Sequence, residues 1–297
     1  MLIDHVVDYC HLKYTGSQCQ CCNHIDKCPG NGLCKTCLEE VHYPGRYANG
    51  RTDYNCSRII DFYVCDYSFK YTSEILYLLR KSEALKQIKG YHIMSIGCGA
   101  CPDLMAFERY CSENGKENSI QYYGIDVNQR WQPIHDVISA YSQDNRYIRK
   151  TKFEYADAVT DFTNRKVKQA NVIVLQYVIS HFYNTNQIDA IESFFDVLVQ
   201  NVVVHKQKNV PLVILINDVN SNNRGRDYFE GLIDRLKAAN LHGRANGFYF
   251  PYRIFNDHMR YGTAHETCDV LYEIPDKLNM YTPWTKCSSA QLLIEIY

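Results

Sequence analysis

From residue 91 to residue 239, short apolar runs of strand length alternate with longer stretches whose apolar residues recur at helical spacing. Residues 92–96, 120–126, 153–156, 171–178 and 211–217 read as strands, rich in Ile, Val, Leu and Tyr. Between them the spacing predicts helices over 102–111, 129–142, 187–206 and 227–239. Strand alternating with helix gives an α/β fold, a parallel sheet covered on both faces. The run at 171–178 is apolar almost throughout, which suits a central strand with no solvent-facing side. Upstream, Ile75, Leu76, Leu78, Leu79 and Leu85 place a helix over 73–87 behind another over 59–71, with Thr72 or Ser73 as the cap between them. Two further β-rich runs, 248–255 and 290–297, enclose an aromatic and basic insert that includes His258, Arg260, Tyr261, His265, Tyr281 and Trp284; it reads as a substrate lid or a plain loop.

The strand at 92–96 runs into Gly97-Cys98-Gly99-Ala100 and then a helix with Pro102 in its first turn, where a missing N–H does no harm. Two glycines let the backbone turn sharply and approach a ligand closely, and the helix start offers free N–H groups. The next strand ends in Asp126, where nucleoside sites place an acceptor for ribose hydroxyls. Pro102 occupies the position at which a dinucleotide fingerprint needs a third small residue, so a ligand without a pyrophosphate fits better. The chain has no Gly-Lys-Ser/Thr, which argues against a P-loop nucleotidase.

Gly97-x-Gly99-x-x-x-Asp103, with Asp126 closing the second strand, resembles the first two motifs of class I S-adenosylmethionine-dependent methyltransferases, and the resemblance spans residues 70 to 297. It implies a Rossmann-like seven-stranded sheet with helices on both faces, the two late β-rich runs supplying antiparallel sixth and seventh strands. It implies S-adenosylmethionine as cofactor, held by Gly97, Cys98, Gly99 and Asp103, by Asp126 and Val127, and by Asp157 and Ala158 at the adenine, with Asp161 a competitor. Gln176, a further candidate cofactor contact, stands with Tyr177 and His181 at the carboxyl end of the fourth strand, in a segment that departs from the Asp-Pro-Pro-Tyr type of amino-group nucleic-acid methyltransferases. Asp218 and His181 are the candidate proton acceptors, against a structural role for each; Asn217, Asn220 and Tyr177 are candidates for the acceptor pocket. Cys-rich modules accompany this fold in several RNA-modifying enzymes, so RNA is the first expected acceptor, with protein and small molecules as alternatives. A competing class is a non-catalytic interaction subunit that binds zinc and cofactor.

Composition changes the picture mainly at the N-terminus. Nine of the fourteen cysteines fall in the first 65 residues, and no basic-then-apolar leader precedes them, so metal binding is favoured over disulfides. Cys19 with Cys22, and Cys34 with Cys37, make two knuckles spaced to share one tetrahedral Zn²⁺, with Cys28 and Cys10 as further candidate ligands. An iron–sulfur cluster lacks a matching spacing. Residues 1–58 therefore read as a loop-rich zinc-binding module and 59–297 as the catalytic domain. Six Lys or Arg against seven acids in residues 1–65, and a net charge of −1 overall, force no basic face for nucleic acid. Local basic segments remain at 146–152, 165–168 and 253–260. No apolar run is long enough for a membrane span, and the expected location is cytoplasmic.

Overall fold

The computed structural model describes residues 1–16, 33–43, 46–47, 53–164, 170–221 and 224–297. Its centre is an eight-stranded sheet built from β1 (Tyr91–Ile96), β2 (Ile120–Asp126), β3 (Ile148–Tyr155), β4 (Val172–Gln176), β5 (Leu212–Val219), β6 (Gly243–Tyr249), β7 (Thr263–Ala264) and β8 (Ser289–Ile296). The strand order is β3-β2-β1-β4-β5-β8-β6-β7. Strands β1 to β5 run parallel, and the order reverses direction between β1 and β4. At such a reversal the connections leave to opposite sides and open a crevice beyond the carboxyl ends of the strands.

Alternation along the strands builds two cores. Val172 and Val174 of β4 face one, Ile173 and Leu175 the other, and β5 divides the same way between Val213 and Leu215 on one side and Ile214 and Ile216 on the other. Helices α1 (Leu2–Gly16), α3 (Ser57–Lys81), α5 (Pro102–Glu113) and α6 (Gln132–Gln143) cover the first face. Helices α7 (Ala158–Asn164), α8 (Val178–Asn184), α9 (Ile188–Asn201) and α10 (Phe229–Ala238) cover the second. Two further helices, α2 (Leu33–His42) and α4 (Glu83–Gln87), pack beside α3 and β5 respectively.

The structure departs from the sequence reading in five places. The sheet has eight strands where seven were expected, because the two-residue β7 pairs with the end of β6 at Phe248 and Tyr249. Only β8 is antiparallel: it lies between β5 and β6 and opposes both, so β6 points the same way as β1 to β5. Strand β6 begins at Gly243, not 248; its first half, Gly-Arg-Ala-Asn, is solvent-exposed and carries no apolar signal. Strand β3 likewise starts early, at Ile148, because its Arg149, Lys150 and Lys152 side chains face water at the sheet edge. The predicted break at Thr72-Ser73 is absent, and α3 runs unbroken for 25 residues. Ser73 bonds back to Phe69 O at 2.6 Å, using its hydroxyl inside the helix instead of capping a new one.

The N-terminal part is more regular than its cysteine content suggests. Leu2, Val6, Cys10 and Tyr14 recur every fourth residue on α1 and enter the same core as α3 and α5. Glu108 of α5 fixes this helix in place: the buried carboxylate accepts the Leu2 N–H at 2.7 Å, the Tyr141 hydroxyl at 2.8 Å and the Asn145 amide at 2.6 Å. Glu108→Ala removes the acceptor and leaves one buried and two part-buried donors behind. The expected cost is about 2–4 kcal/mol, read as a lowered Tm together with faster hydrogen exchange in α1; wild-type values for both would contradict the assignment.

Candidate functional site

At the carboxyl edge of β1 the backbone passes through Gly97 and Gly99 with positive φ of 64° and 49°. A Cβ on Gly97 would stand 2.8 Å from Val178 Cγ2, so only glycine allows the β1 turn to touch the start of α8 across the strand reversal. Asp126, at the end of β2, accepts the Gly99 N–H at 2.9 Å and the Asn128 N–H at 2.8 Å. Its carboxylate is 9% exposed; burial raises its pKa, and the two N–H donors pull it back down. Each oxygen accepts one backbone bond, which leaves acceptor capacity on both for a ligand.

A cleft of about 1710 Å³ opens over this turn. Gly97, Gly99, Asp126 and Val127 line it from β1 and β2, and Asp157 and Ala158 from the loop after β3. Asp157 also accepts the Thr160 N–H at 2.8 Å, fixing the start of α7. Gln176, Tyr177, His181 and Asn220 line the opposite wall. Gln176 donates to Tyr71 O at 2.9 Å, while its Oε1 is buried with no hydrogen-bond partner among the described residues. Tyr177 sits in the left-handed region, φ 58°, a conformation that a bulky residue keeps only where packing enforces it. Burial lowers the pKa of His181, so its imidazole is neutral at pH 7 and able to take a proton.

Four of the sequence candidates lie behind the cleft wall. Cys98 and Asp103 are buried under the turn; Asp103 accepts the Tyr122 hydroxyl at 2.9 Å, and burial pushes its pKa up to about 7. Asp218 is fully buried and accepts N–H groups from Ile179 at 2.9 Å, Ser180 at 3.2 Å and Val219 at 2.7 Å. Its carboxylate thereby caps the first turn of α8, away from the cleft. Asn217 belongs to an interior network: it donates to Glu74 at 3.0 Å and accepts from Ser289 at 2.6 Å and Gln291 at 2.7 Å.

Glu74 links that network to the cleft. It accepts the Tyr177 hydroxyl at 2.8 Å and the Ser288 N–H at 2.9 Å, and pairs with Lys70 at 3.5 Å. Lys70, 5% exposed, donates to the Tyr177 hydroxyl at 3.1 Å and lies 5.0 to 5.3 Å from the ring centres of Tyr71, Tyr177 and Trp284. The sequence reading missed the size of this aromatic lining. Tyr63, Tyr67 and Tyr71 are spaced four apart on α3 and stack in series at 5.4 and 5.1 Å; Tyr54 and Trp131 continue the row, and Tyr71 meets Tyr177 at 4.4 Å. The period of four, with Lys70 and Glu74 in step, was the available signal. Burial drives the pKa of Tyr63, Tyr71 and Tyr177 well up, so these rings present neutral phenols.

Of the candidate zinc ligands, Cys19, Cys22 and Cys28 lie outside the described residues. Cys34 and Cys37 sit one turn apart on α2, Cys34 against Tyr14 and Arg58, while Cys10 is buried on α1 near Asp61 and Cys65. Cys10, Cys34 and Cys37 do not converge; among the described residues the one group of three potential ligands is Cys98, Cys101 and His135. Several basic side chains are neutralised locally: Arg146 by Glu117, Lys152 by Glu154 and Arg260 by Asp257. Residues 165–168 lie outside the described residues. No described helix is long and apolar enough to cross a membrane.

No protein-family model matches the sequence, and no curated protein matches it. Solved structures with a similar chain path include a SAM dependent methyltransferase from Archaeoglobus fulgidus, at 13% identity over 76% of this chain and 94% of that one, TM-score 0.41. The plantazolicin methyltransferase BpumL in complex with SAH matches at 13% identity over 89% of this chain and 99% of that one, TM-score 0.46. Magnesium protoporphyrin IX methyltransferase (ChlM) from Synechocystis PCC 6803 with bound SAM matches at 8% identity over 89% of this chain and 96% of that one, TM-score 0.42.

The cleft also holds a titratable group with a defined pH signature. Burial, then the charges of Lys70 and His181, lowers the His42 pKa to about 3, and its Nε2 is 2.9 Å from the Tyr54 hydroxyl. The unfolded chain takes up this proton near the ordinary histidine value while the folded chain does not, so His42 opposes folding as pH falls from about 6.5 toward about 3. Buried acids such as Asp103 act in the opposite sense, so the test is a comparison. Relative to His42→Gln, the wild type is expected to lose about 3 kcal/mol of stability between about pH 7 and about pH 4, to be read by denaturant titration; a pH-independent difference would contradict a neutral imidazole at this half-buried position.

Proposed function

We propose that the chain transfers a methyl group from S-adenosylmethionine to a planar, ring-bearing small-molecule acceptor. The observation that carries this reading is the meeting of the Gly97–Gly99 turn, Asp126, Asp157 and Gln176 in one cleft at the reversal of strand order. The residues fit the cofactor's groups. Asp126 has acceptor capacity left for a ribose diol, Asp157 on the same cleft would accept from the adenine amino group, and the unpartnered Oε1 of Gln176 suits an ammonium. When bound, the cofactor supplies an activated methyl on a sulfonium, so orientation of the acceptor carries most of the rate.

The acceptor half is the tyrosine row. A cleft of about 1710 Å³ exceeds the about 300–1,000 Å³ usual for one ligand, which leaves room for an acceptor beside the cofactor. Rings spaced 4.4 to 5.9 Å apart favour a flat, apolar guest held by stacking. His181 lines the same wall, half-buried and neutral, and serves as the proton acceptor where the acceptor group carries a proton. RNA is the second reading, favoured by stacking surface and by Arg130, Arg224 and Arg253 at the cleft; the local pairing of Arg146, Lys152 and Arg260 weighs against it. Cys19, Cys22, Cys34 and Cys37 are assigned on their spacing to one structural Zn²⁺, a reading supported by Cys34 and Cys37 standing one turn apart on α2.

Two substitutions separate binding from chemistry. Asp126→Ala is expected to weaken S-adenosylhomocysteine binding by about 10–100-fold in calorimetry, from loss of charged hydrogen bonds. His181→Gln is expected to leave that binding intact and to lower kcat about 10²–10⁴-fold, with the wild-type rate falling on the acid side below the ordinary histidine range. Label from tritiated cofactor should partition with small molecules and resist ribonuclease. Absence of cofactor binding by the wild type would sink the reading, and ribonuclease-sensitive label would replace the acceptor with RNA.

A further inference from the structure

We propose that Cys98, Cys101 and His135 form a buried Zn²⁺ site directly beneath the glycine turn, separate from the N-terminal cysteines. The two thiols come from a Cys-x-x-Cys that is the turn itself, Cys98-Gly-Ala-Cys101. Cys101 holds the left-handed conformation, φ 59° and ψ 47°, at the start of α5, and its Sγ comes within 3.8 Å of Gly99 O. His135 reaches the same spot from α6. One ligand atom from each of the three residues lies within 4.8 Å of the others, and Cys98 Sγ is 3.8 Å from His135 Nε2. Tetrahedral zinc, with Zn–S of about 2.3 Å and Zn–N of about 2.0 Å, needs neighbouring ligand atoms about 3.5–3.8 Å apart.

The surroundings match a built ligand set. Cys98 is 4%, Cys101 0% and His135 2% exposed, and two thiolates cancel the charge of a divalent ion, so the assembled centre is neutral where a net charge would be costly. The imidazole lies flat on Phe153, centroids 4.1 Å apart at 8°, and its Nδ1 is 2.9 Å from the Tyr155 hydroxyl. A hydroxyl both donates and accepts, so Tyr155 can take the Nδ1–H when Nε2 turns its lone pair to a metal, the outer-shell partner that metal-bound histidines need. Gly124 of β2 makes the space: a Cβ there would stand 2.9 Å from Cys98 Sγ and 2.9 Å from Phe153 Cδ1. Gly99 O, 2.8 Å from His135 Nε2, can only accept, so it pairs with Nε2–H, and that proton leaves when Nε2 ligates the metal. Because the Gly99 N–H is the group that Asp126 holds, an ion here stiffens the turn that borders the cleft.

The test is metal content of the full-length protein after loading with Zn²⁺ and removal of excess, by inductively coupled plasma mass spectrometry. Cys98→Ser/Cys101→Ser and His135→Ala are each expected to lose one equivalent per chain. Cys111→Ser, whose buried thiol contacts Ser119 Oγ at 3.3 Å outside the cluster, is expected to lose none, and Cys34→Ser/Cys37→Ser to keep this equivalent. Cadmium NMR of the cadmium-loaded wild type makes the answer independent of how the variants fold: a two-thiolate, one-imidazole site gives a resonance distinct from that of a four-thiolate site. Unchanged zinc in both cluster variants, a wild-type spectrum without that resonance, or a Cys98–Cys101 disulfide in anaerobically purified protein would each overturn the assignment.

Discussion

The carboxylate of Asp126 accepts one N–H from Gly99 and one from Asn128, and this two-sided hold ties the carboxyl ends of β1 and β2 into one piece. Burying a carboxylate is unfavourable, and the cost is offset here by two charge-assisted bonds of about 1.5–3 kcal/mol each. Loss of the acid would leave the part-buried Gly99 N–H without its acceptor. On the other side of β1, Gly97 presses on Val178 so closely that no side chain fits. The floor of the crevice is thus set by backbone contacts made before any ligand arrives, which lowers the ordering cost of binding.

A second constraint fixes the opposite wall. Glu74, fully buried, is satisfied by Tyr177, Asn217, Ser288 and Lys70 together. Removing any partner from such a network exposes the rest to unmet charge, whereas the intact set is rigid. It reaches from α3 through β5 to β8, since Gln291 bridges Asn217 and the Glu74 carbonyl at 2.7 Å each. The left-handed Tyr177 is held by this scaffold, its hydroxyl anchored to Glu74 and its ring against Tyr71. The α3 side of the cleft is therefore as fixed as the side at the β1 turn.

Much of this was legible in the sequence, and the boundary between legible and hidden follows burial. Strands β1, β2, β4 and β5 are covered on both faces and read as apolar runs; β6 and the start of β3 face solvent and carry polar residues. The meeting of the glycine turn, Asp126, Asp157 and Gln176 at one cleft was readable because each stands at or just past the end of a strand. Asn217 and Asp218 were placed at the correct strand end, but a strand offers no label for depth: one serves the interior network and the other caps α8. Cysteine density hid α1, since Cys10 interrupts an otherwise plain apolar period of Leu2, Val6 and Tyr14. The tyrosine row on α3 resembled ordinary packing until Trp131, Trp284 and Tyr177 arrived from distant segments to complete it.

Two stretches of the chain divide the lining of the cleft between them. Residues after 91 supply the turn, the acid and the sheet edge, while Tyr63, Tyr67, Lys70 and Tyr71 of α3, with His42 and Tyr54 before it, supply most of the facing aromatic wall. These upstream residues share the core that holds α1 and α5, so the wall cannot move independently of the helices beneath it. Changes among the tyrosines alter the shape of that wall without touching Asp126 or Gly97, and changes at the turn do the reverse. Lys70 is the exception, because its ammonium joins the wall to Glu74, and through Glu74 to the interior of the sheet. Glu74 and the Tyr177 hydroxyl already engage that ammonium, so an anionic group entering the cleft would have to compete with both for it, whereas the faces of the rings carry no such competitor.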